Sequence, residues 1–319
     1  MELLNKSVIM KLLDGLDLMP LIEKGFIAYS FGEAVIPPIG ELTFEDPPGD
    51  VHIKYGYIKD EKYYVIKIAS GFWNNETYGI PNGQGMMLLF NQKTGEPVAL
   101  INDEAFLTDI RTAIAGQICA KYFSNEINCI GVIGTGTQAR LQVDYLKNIT
   151  KCRKIAVWGR NNEKAIKYKS DMTAKGFDVF IQKSVHNLCK MSNMIITTTA
   201  SKSPIIMSEY VQSGTHINAI GADAIGKREL GKGVVKSADL IVVDSVNQCL
   251  ERGEVSYAIL DKEISKDRIN ELGHILSGQV RGRINKSDIT IADLTGVAVQ
   301  DVQIATAVYE AYLEKKNEV

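Results

Sequence analysis

The first 125 residues show two patterns of apolar positions. Residues 1–35 carry apolar side chains at helical spacing and predict two helices, with Pro20 in the first turn of the second. Four runs rich in β-branched and aromatic residues follow, separated by turn-forming clusters, and they predict an antiparallel meander. These strands are expected at residues 51–57, 63–69, 85–90 and 97–102. An alanine-rich helix is predicted over residues 105–123.

From residue 128 short apolar runs alternate with helical stretches. Strands are predicted at residues 129–133, 154–158, 178–181, 194–199, 216–221, 239–243 and 288–292, and a final helix at 299–314. Such alternation predicts a parallel sheet with helices on both faces. The expected fold class is therefore α/β: a Rossmann-type doubly wound parallel sheet domain at residues 126–297, and a smaller α+β domain at residues 1–125 with 298–319.

Composition narrows the functional classes. The 36 lysines and arginines balance 38 acidic residues, for a net charge of −2, so no nucleic-acid partner is expected. No apolar run is long enough for a membrane span, and the acidic residues near the N-terminus favour an amphipathic helix over a signal peptide. Five scattered cysteines without a C-x-x-C pair indicate free thiols in a reducing cytoplasm. The four histidines lie far apart in sequence, so no metal site is predicted.

The most informative motif is Gly134-x-Gly136-x-x-Ala139, with Thr137 and Gln138 inside it. A buried strand precedes it and a helix follows, which is the order of a dinucleotide-binding turn. Gly134 permits the tight turn, Gly136 admits a pyrophosphate close to the backbone, and Ala139 keeps the helix near the strand. An ordinary glycine-rich strand–helix turn has the same letters, so the flanking strand and helix decide the interpretation.

The second strand of the α/β domain indicates which nicotinamide is bound. An acidic residue after this strand contacts the adenosine ribose of NAD, whereas arginine accommodates the 2′-phosphate of NADP. Arg160 occupies this position, and we therefore expect NADP(H) to be preferred over NAD(H). The alternative is a solvated Arg160 and a protein that binds both cofactors. Thr197 and Thr198, at the end of a later strand, are further predicted cofactor contacts.

Three charged residues are candidates for chemistry or substrate binding. Lys67 lies in the apolar strand Tyr64-Val-Ile-Lys-Ile-Ala, where burial would lower its pKa and make it an acid/base; the alternative is a lysine that extends to solvent from an edge strand. Arg111 opens the alanine-rich helix and could bind a substrate carboxylate, or pair with Asp109 or Asp103. Asp223 follows a buried strand and suits proton transfer, or caps a turn.

Five motifs make the chain resemble one known family. They are Leu107-Thr-Asp-Ile-Arg-Thr-Ala, Gly131-Val-Ile-Gly-Thr-Gly-Thr-Gln-Ala, His216-Ile-Asn-Ala-Ile-Gly-Ala-Asp, Gly226-Lys-Arg-Glu-Leu and Asp293-Leu-Thr-Gly-Val-Ala-Val-Gln-Asp. In this order they resemble the ornithine cyclodeaminase/mu-crystallin family, which includes archaeal-type alanine dehydrogenases and ketimine or imino-acid reductases.

The resemblance implies a homodimer formed by the smaller domain, which also binds substrate. It implies that Lys67 and Asp223 are catalytic and that Arg111 binds the substrate carboxylate. It also adds Thr112, Asp293 and Gly296 to the expected cofactor contacts.

The sequence departs from the family where basic residues commonly follow the Pro-Pro pair. Here Pro37-Pro38 is followed by Ile-Gly-Glu41, and His52 stands where a second arginine would align. We therefore expect His52 and Lys54 to complete the carboxylate site and Glu41 to meet a cationic group. This departure argues against ornithine or alanine as the specific substrate.

Three functions remain open from the sequence. The first is an NAD(P)H-dependent reductase of an α-imino acid, or an amino-acid dehydrogenase in reverse. The second is a redox-neutral cyclodeaminase of a diamino acid that recycles its cofactor. The third is a non-enzymatic binding protein of the mu-crystallin kind.

Overall fold

The computed structural model describes residues 1–317. The strands are β1 (Glu2–Asn5), β2 (Ala34–Val35), β3 (Gly40–Phe44), β4 (Gly49–Ile58), β5 (Tyr63–Phe72), β6 (Gly83–Asn91), β7 (Pro97–Asn102), β8 (Ile130–Ile133), β9 (Lys154–Trp158), β10 (Asp178–Ile181), β11 (Met194–Thr197), β12 (His216–Ala219), β13 (Leu240–Val243), β14 (Ile269–Glu271) and β15 (Thr290–Asp293). The α-helices are α1 (Lys6–Leu13), α2 (Met19–Ser30), α3 (Phe106–Phe123), α4 (Thr137–Leu146), α5 (Asn162–Ala174), α6 (Val185–Met191), α7 (Val246–Arg252), α8 (Glu254–Leu260), α9 (Leu272–Leu276) and α10 (Ala298–Asn317).

The chain forms two compact units. The first comprises Met1–Arg111 and the chain from Val297, and the second comprises Thr112–Gly296. The sequence placed this boundary between residues 125 and 126, after α3. In the structure it falls inside α3, because the first turns of this helix pack with the first unit and the rest with the second.

The first unit is built on a seven-stranded sheet in the order β1-β7-β6-β5-β4-β2, with β3 paired to β4. Neighbouring strands are antiparallel, as the meander predicted, except that β1 runs parallel to β7. Helix α10 packs on β4, β5 and β6, and α2 packs on α10. One face of the sheet is thereby covered, and alternate residues of each central strand point into this covered face.

The N-terminus differs from the prediction of two helices. Residues Glu2–Asn5 form β1, in which Leu4 is fully buried and opposite Ile101. The Asn5 side chain then accepts a hydrogen bond from the Val8 N–H and caps α1 directly after the strand. A four-residue strand is too short for a periodicity to separate it from the helix that follows.

The second unit is an eight-stranded parallel sheet in the order β10-β9-β8-β11-β12-β15-β13-β14. The sequence order reverses at β8, beside β11, which is the switch point of a doubly wound fold. Strands β8, β11, β12, β13 and β15 are buried throughout, as the continuous apolar runs predicted. The fold class is confirmed for this unit. None of the helices within residues 1–317 is long and apolar enough to cross a membrane.

Candidate active site

A buried lysine pair lies on the covered face of the first sheet. Lys67 on β5 is directly opposite Lys54 on β4, so the two side chains share this face. Lys67 is 2% exposed and Lys54 7% exposed. The alternative of a lysine that reaches solvent from an edge strand is therefore excluded, since β5 is a central strand.

Asp301 on α10 joins Lys67 to Arg111. Lys67 Nζ lies 3.0 Å from Asp301 Oδ2, and Arg111 Nε donates a hydrogen bond of 3.0 Å to Asp301 Oδ1. Arg111 Nη1 also donates a hydrogen bond to Gln300 Oε1 at 3.2 Å. The Gln300 side-chain amide in turn donates a hydrogen bond to the Arg111 carbonyl oxygen. All four residues are at least nine-tenths buried. Arg111 thus pairs across 190 positions of sequence rather than only with its near neighbours.

Burial and neighbouring charges shift the pKa values of this cluster. Burial lowers the pKa of Lys67 to about 7; Asp301 opposes this change, whereas Arg111 and Lys54 add to it. Burial alone would raise the pKa of Asp301, but the Lys67, Arg111 and Lys54 cations outweigh burial and hold it below its usual value. Lys67 can therefore gain or lose a proton near neutral pH, which is the property of a general acid/base.

Asp103 is a second buried carboxyl group beside this cluster. It follows β7, is 1% exposed, and its Oδ2 accepts a hydrogen bond of 2.7 Å from the Leu107 N–H at the start of α3. Burial raises its pKa to about 6, against the Leu107 hydrogen bond and the attraction of Lys67. The next two residues, Glu104 and Ala105, have φ of 55° and 64°, which is rare for residues with a side chain. The backbone is thus strained immediately beside the lysine pair.

Glu41 and His52 form a hydrogen-bonded pair on neighbouring strands. The two residues are directly opposite each other on β3 and β4, and His52 Nε2 lies 2.9 Å from Glu41 Oε1. His52 is also opposite Ala69, and Ala69 is opposite Gly85 on β6. Glu41, His52, Ala69 and Gly85 therefore form one row across the sheet, with small residues at its last two positions. This row lies next to the row that holds Lys54 and Lys67.

The predicted dinucleotide turn has the required geometry in the second unit. Gly134 has φ of 121°, and a Cβ there would lie 2.5 Å from Thr198 Oγ1, so only glycine fits. Gly136 is the N-cap of α4, with no side-chain cap and open space where its Cβ would be. Ala139 is fully buried against the sheet. The first-turn N–H groups of α4, from Thr137 and Gln138 onward, can donate hydrogen bonds to a phosphate.

A cavity of about 530 Å³ lies next to this turn. Its lining includes Gly134, Thr198, Arg160 and Lys164. Arg160 and Lys164 give the wall after β9 two basic side chains, which can pair with a negatively charged part of a ligand. These features together fit a dinucleotide cofactor.

The other expected cofactor contacts lie elsewhere in the second unit. Thr197 ends β11 fully buried, one residue before the cavity lining. The Thr112 carbonyl accepts a hydrogen bond from Gln142, whose amide also contacts Gln138. Asp293 is 1% exposed and accepts from the Val255 N–H.

The Gly296 N–H donates to a buried aspartate, Asp244. Hydrogen bonds thus hold the backbone within α3 at Thr112 and just after β15 at Gly296, where two of these expected contacts lie.

The loop after β12 carries Asp223 and is held by a buried glutamate. Glu229 is fully buried and accepts hydrogen bonds from the Thr199 N–H at 2.7 Å and the Gly221 N–H at 2.9 Å. Burial raises its pKa to about 7. Asp223 itself is partly exposed and forms an ion pair of 2.6 Å with Lys227. Glu229 therefore ties the Asp223 loop to the strand end that lines the cavity.

Comparison with known proteins identifies the family. Residues 2–316 match the ornithine cyclodeaminase/mu-crystallin family. The chain belongs to this family. It is 33% identical over 299 residues to the alanine dehydrogenase of Archaeoglobus fulgidus. The aligned residues make up 93% of this chain and 90% of that protein.

Two solved structures of the ornithine cyclodeaminase/mu-crystallin family are similar over almost the whole chain. An archaeal alanine dehydrogenase dimer with bound NAD superposes with a TM-score of 0.90 at 32% identity, covering 99% of this chain and 97% of that one. The Δ1-pyrroline-2-carboxylate reductase of Thermococcus litoralis, in complex with NADH and L-proline, superposes with a TM-score of 0.92 at 28% identity. The match covers 99% of this chain and 98% of that one. These relatives confirm the predicted family and the predicted class of nicotinamide-dependent oxidoreductase.

Sequence reasoning assigned no role to three buried residues of this family member, Glu229, Gln300 and Asp301, and gave Asp103 only as an alternative partner of Arg111. Gln300 and Asp301 were part of a matched motif, but no role followed from it. Their signal was two polar residues inside the apolar stretch Val297-Ala-Val-Gln-Asp-Val. A buried polar residue on an apolar helix requires a partner, and the pattern could have indicated that one existed.

Proposed function

We propose that this protein is an NAD(P)H-dependent reductase of an α-imino acid, which acts as an amino-acid dehydrogenase in reverse. The observation that carries the proposal is the buried Lys67, held by Asp301 beside Arg111, in a chain that also contains a complete dinucleotide turn. A proton donor of near-neutral pKa and a carboxylate-binding cation are the groups that imine reduction requires.

In the proposed reaction the substrate carboxylate binds Arg111, assisted by Lys54 or His52. Lys67, or Asp223 in the second unit, gives a proton to the imine nitrogen, and the cation so formed makes the adjacent carbon electrophilic. Bound reduced nicotinamide supplies the hydride, and the residues of the Gly134–Ala139 turn hold its phosphates. Burial strengthens these charge interactions, because water does not screen them.

The Glu41–His52 pair supports a substrate other than ornithine or alanine. It places a carboxyl group and an imidazole 2.9 Å apart at the position where a second arginine of the family would align. The adjoining positions in the same row of the sheet are small, Ala69 and Gly85. A cyclic imino acid of the pyrroline-2-carboxylate kind fits this combination.

The experiment is to follow NADPH and NADH absorbance with pyrroline-2-carboxylate, and with small α-keto acids plus ammonia or methylamine. Stoichiometric oxidation of the cofactor supports the reductase. Ammonia release from a diamino acid with catalytic cofactor would show a cyclodeaminase instead. Tight cofactor binding without any turnover would indicate the mu-crystallin kind of binding protein.

We further propose that NADP(H) is preferred over NAD(H). The support is that Arg160 and Lys164 both line the cavity after β9, and that no acidic residue occupies the ribose position. Arg160→Asp should reverse the ratio of kcat/KM for the two cofactors, while Arg153→Asp, outside the cavity lining, should leave the ratio unchanged. An unchanged ratio in the Arg160 variant would contradict the assignment.

We propose that the partner is a second copy of the chain. The sheet face away from α10 carries half-buried or exposed apolar residues, including Leu42, Tyr55 and Met86, and Tyr64 stacks on Phe90 at 4.8 Å. Such an apolar face is typical of a subunit interface. Leu42→Lys combined with Tyr55→Lys should convert a dimer to a monomer in sedimentation velocity; a dimer that persists would place the interface elsewhere.

We also propose a cytoplasmic location. All five cysteines lie within the described residues and are free, and four of them are buried. Free thiols are usual where the compartment is reducing. Fractionation of cells that make the natural protein would test this assignment.

A further inference from the structure

Asp301 is a buried carboxylate on a part of α10 whose other buried residues are uncharged. Its neighbours Val299, Val302 and Ile304 are at most 2% exposed, and Asp301 is itself 1% exposed. A buried carboxylate destabilises the fold unless cations and hydrogen-bond donors compensate for its lost hydration. Its two oxygens meet two different cations, Lys67 at 3.0 Å and Arg111 at 3.0 Å, so one side chain fixes the position of both.

The charges around Lys67 come from four elements. Lys54 approaches from β4, Arg111 from α3, Asp301 from α10, and Asp103 from the end of β7. With Lys67 itself the cluster has five ionisable groups, and three of them, both lysines and the arginine, are cations when charged. Burial raises the pKa of Asp103 to about 6, whereas the surrounding cations hold the pKa of Asp301 low. Asp301 is therefore the carboxylate that stays ionised over the whole range in which Lys67 titrates.

We propose that Asp301 is the positioning residue of this site: its carboxylate aligns Lys67 with Arg111 and keeps the proton on Lys67 until the imine takes it. This inference rests on the proposed function. The imine nitrogen takes a proton from the Lys67 ammonium and the imine carbon takes a hydride from the reduced nicotinamide. The products are the amine, the oxidised nicotinamide and a neutral Lys67, which regains its proton from water. Asp301 does not touch the reacting atoms, and it acts through Lys67.

The test is a direct titration of Lys67 in protein labelled with 13C at the lysine ε-carbon, observed by NMR. The Lys67 resonance is assigned by its loss in Lys67→Arg. In Asp301→Asn the midpoint should fall by about one pH unit or more, because an opposite charge at contact distance is removed. The matched control is Gln300→Leu, which removes an uncharged partner of Arg111 and should leave the midpoint within about 0.3 unit.

An unchanged midpoint in Asp301→Asn would overturn the proposal, as would an equal fall in Gln300→Leu. Because this readout needs no turnover, it remains decisive even if the proposed reductase activity is absent. With an active enzyme, the alkaline limb of kcat/KM for imine reduction should move in step with the NMR midpoint, giving about a tenfold loss at pH 8.

A second variant covers failure of Asp301→Asn to fold. Asp301→Glu keeps the charge but lengthens the side chain by one methylene, so the Lys67 midpoint should stay close to that of the wild type. Its kcat should fall about tenfold or more, because the two cations are turned away from their aligned positions. Wild-type kcat and KM in Asp301→Glu would overturn the positioning role.

Discussion

Replacing Gly221 with alanine should disrupt the loop that carries Asp223. A Cβ at this position would lie 2.3 Å from Glu229 Oε2 and 2.3 Å from the Thr199 carbonyl oxygen, about 1 Å closer than ordinary contact. Neither atom can move cheaply, since Glu229 holds both the Thr199 N–H and the Gly221 N–H. The φ angle of Gly221 is not in the left-handed region, so the effect is one of space alone.

The magnitude follows from the hydrogen bonds that must break. Displacing the Glu229 carboxyl group loses two buried bonds, each worth about 1.5–3 kcal/mol, so we expect a loss of about 4 kcal/mol in the free energy of unfolding. For a unit of this size the melting temperature should fall by about 10 °C. Turnover should fall as well, because Asp223 is two residues from the substitution.

The assay is differential scanning calorimetry of Gly221→Ala beside a matched control, Gly282→Ala. Gly282 is in the same unit, has an ordinary φ, and its Cβ would come no closer than 3.6 Å to any other atom. The control should melt near the wild-type temperature. If the two variants melted within about 2 °C of each other, the close approach of Glu229 to Gly221 would not be a constraint on the fold.

The remaining predictions concern Lys67 and the buried carboxyl groups. Lys67→Ala should abolish turnover and leave nicotinamide affinity nearly unchanged in a fluorescence titration, since the dinucleotide turn is in the other unit; surviving turnover would exclude the proton-transfer role. Burial raises the pKa of Glu229 and of Asp293 to about 7. Between about pH 4.5 and pH 7 these two groups therefore keep protons in the folded protein that they release in the unfolded chain. Their contribution to the free energy of unfolding falls as pH rises through this range. Urea titration gives the free energy of unfolding at pH 5 and at pH 7.5. This free energy should fall less between the two pH values in Glu229→Gln than in the wild type, and an equal fall would mean that Glu229 is ionised throughout.

Much of the second unit was predictable because its determinants are local. A continuous apolar run is typical of a strand that is buried on both faces, and the positive φ of Gly134 is a local requirement of the turn. Strands β8 to β13 therefore appear close to their predicted positions. Arg160 was found in the same way, since its place after β9 is fixed by the order of elements. The short β14 was missed, because three residues give no periodicity.

The buried cluster of Lys54, Lys67, Arg111 and Asp301 shows where prediction from sequence ended. Lys67 and Arg111 follow from local signals, a lysine among apolar residues and an arginine at a helix start, whereas Lys54 follows from a departure from the family pattern. What joins them is Asp301, more than 180 positions further along the chain than any of them. Nothing in the spacing of residues 298–317 indicates which strand α10 covers.

The sequence by itself determined the family, the two kinds of unit and most of the candidate site residues. These follow from periodicity and from short motifs, whose physical requirements are met within about ten neighbouring residues. Only the tertiary structure decided that Asp301 faces Lys67 and Arg111, that Glu229 clamps the Asp223 loop, and that the unit boundary lies inside α3. Each of these depends on packing between distant segments, and burial, which sets the charge of every group involved, exists only once those segments have met.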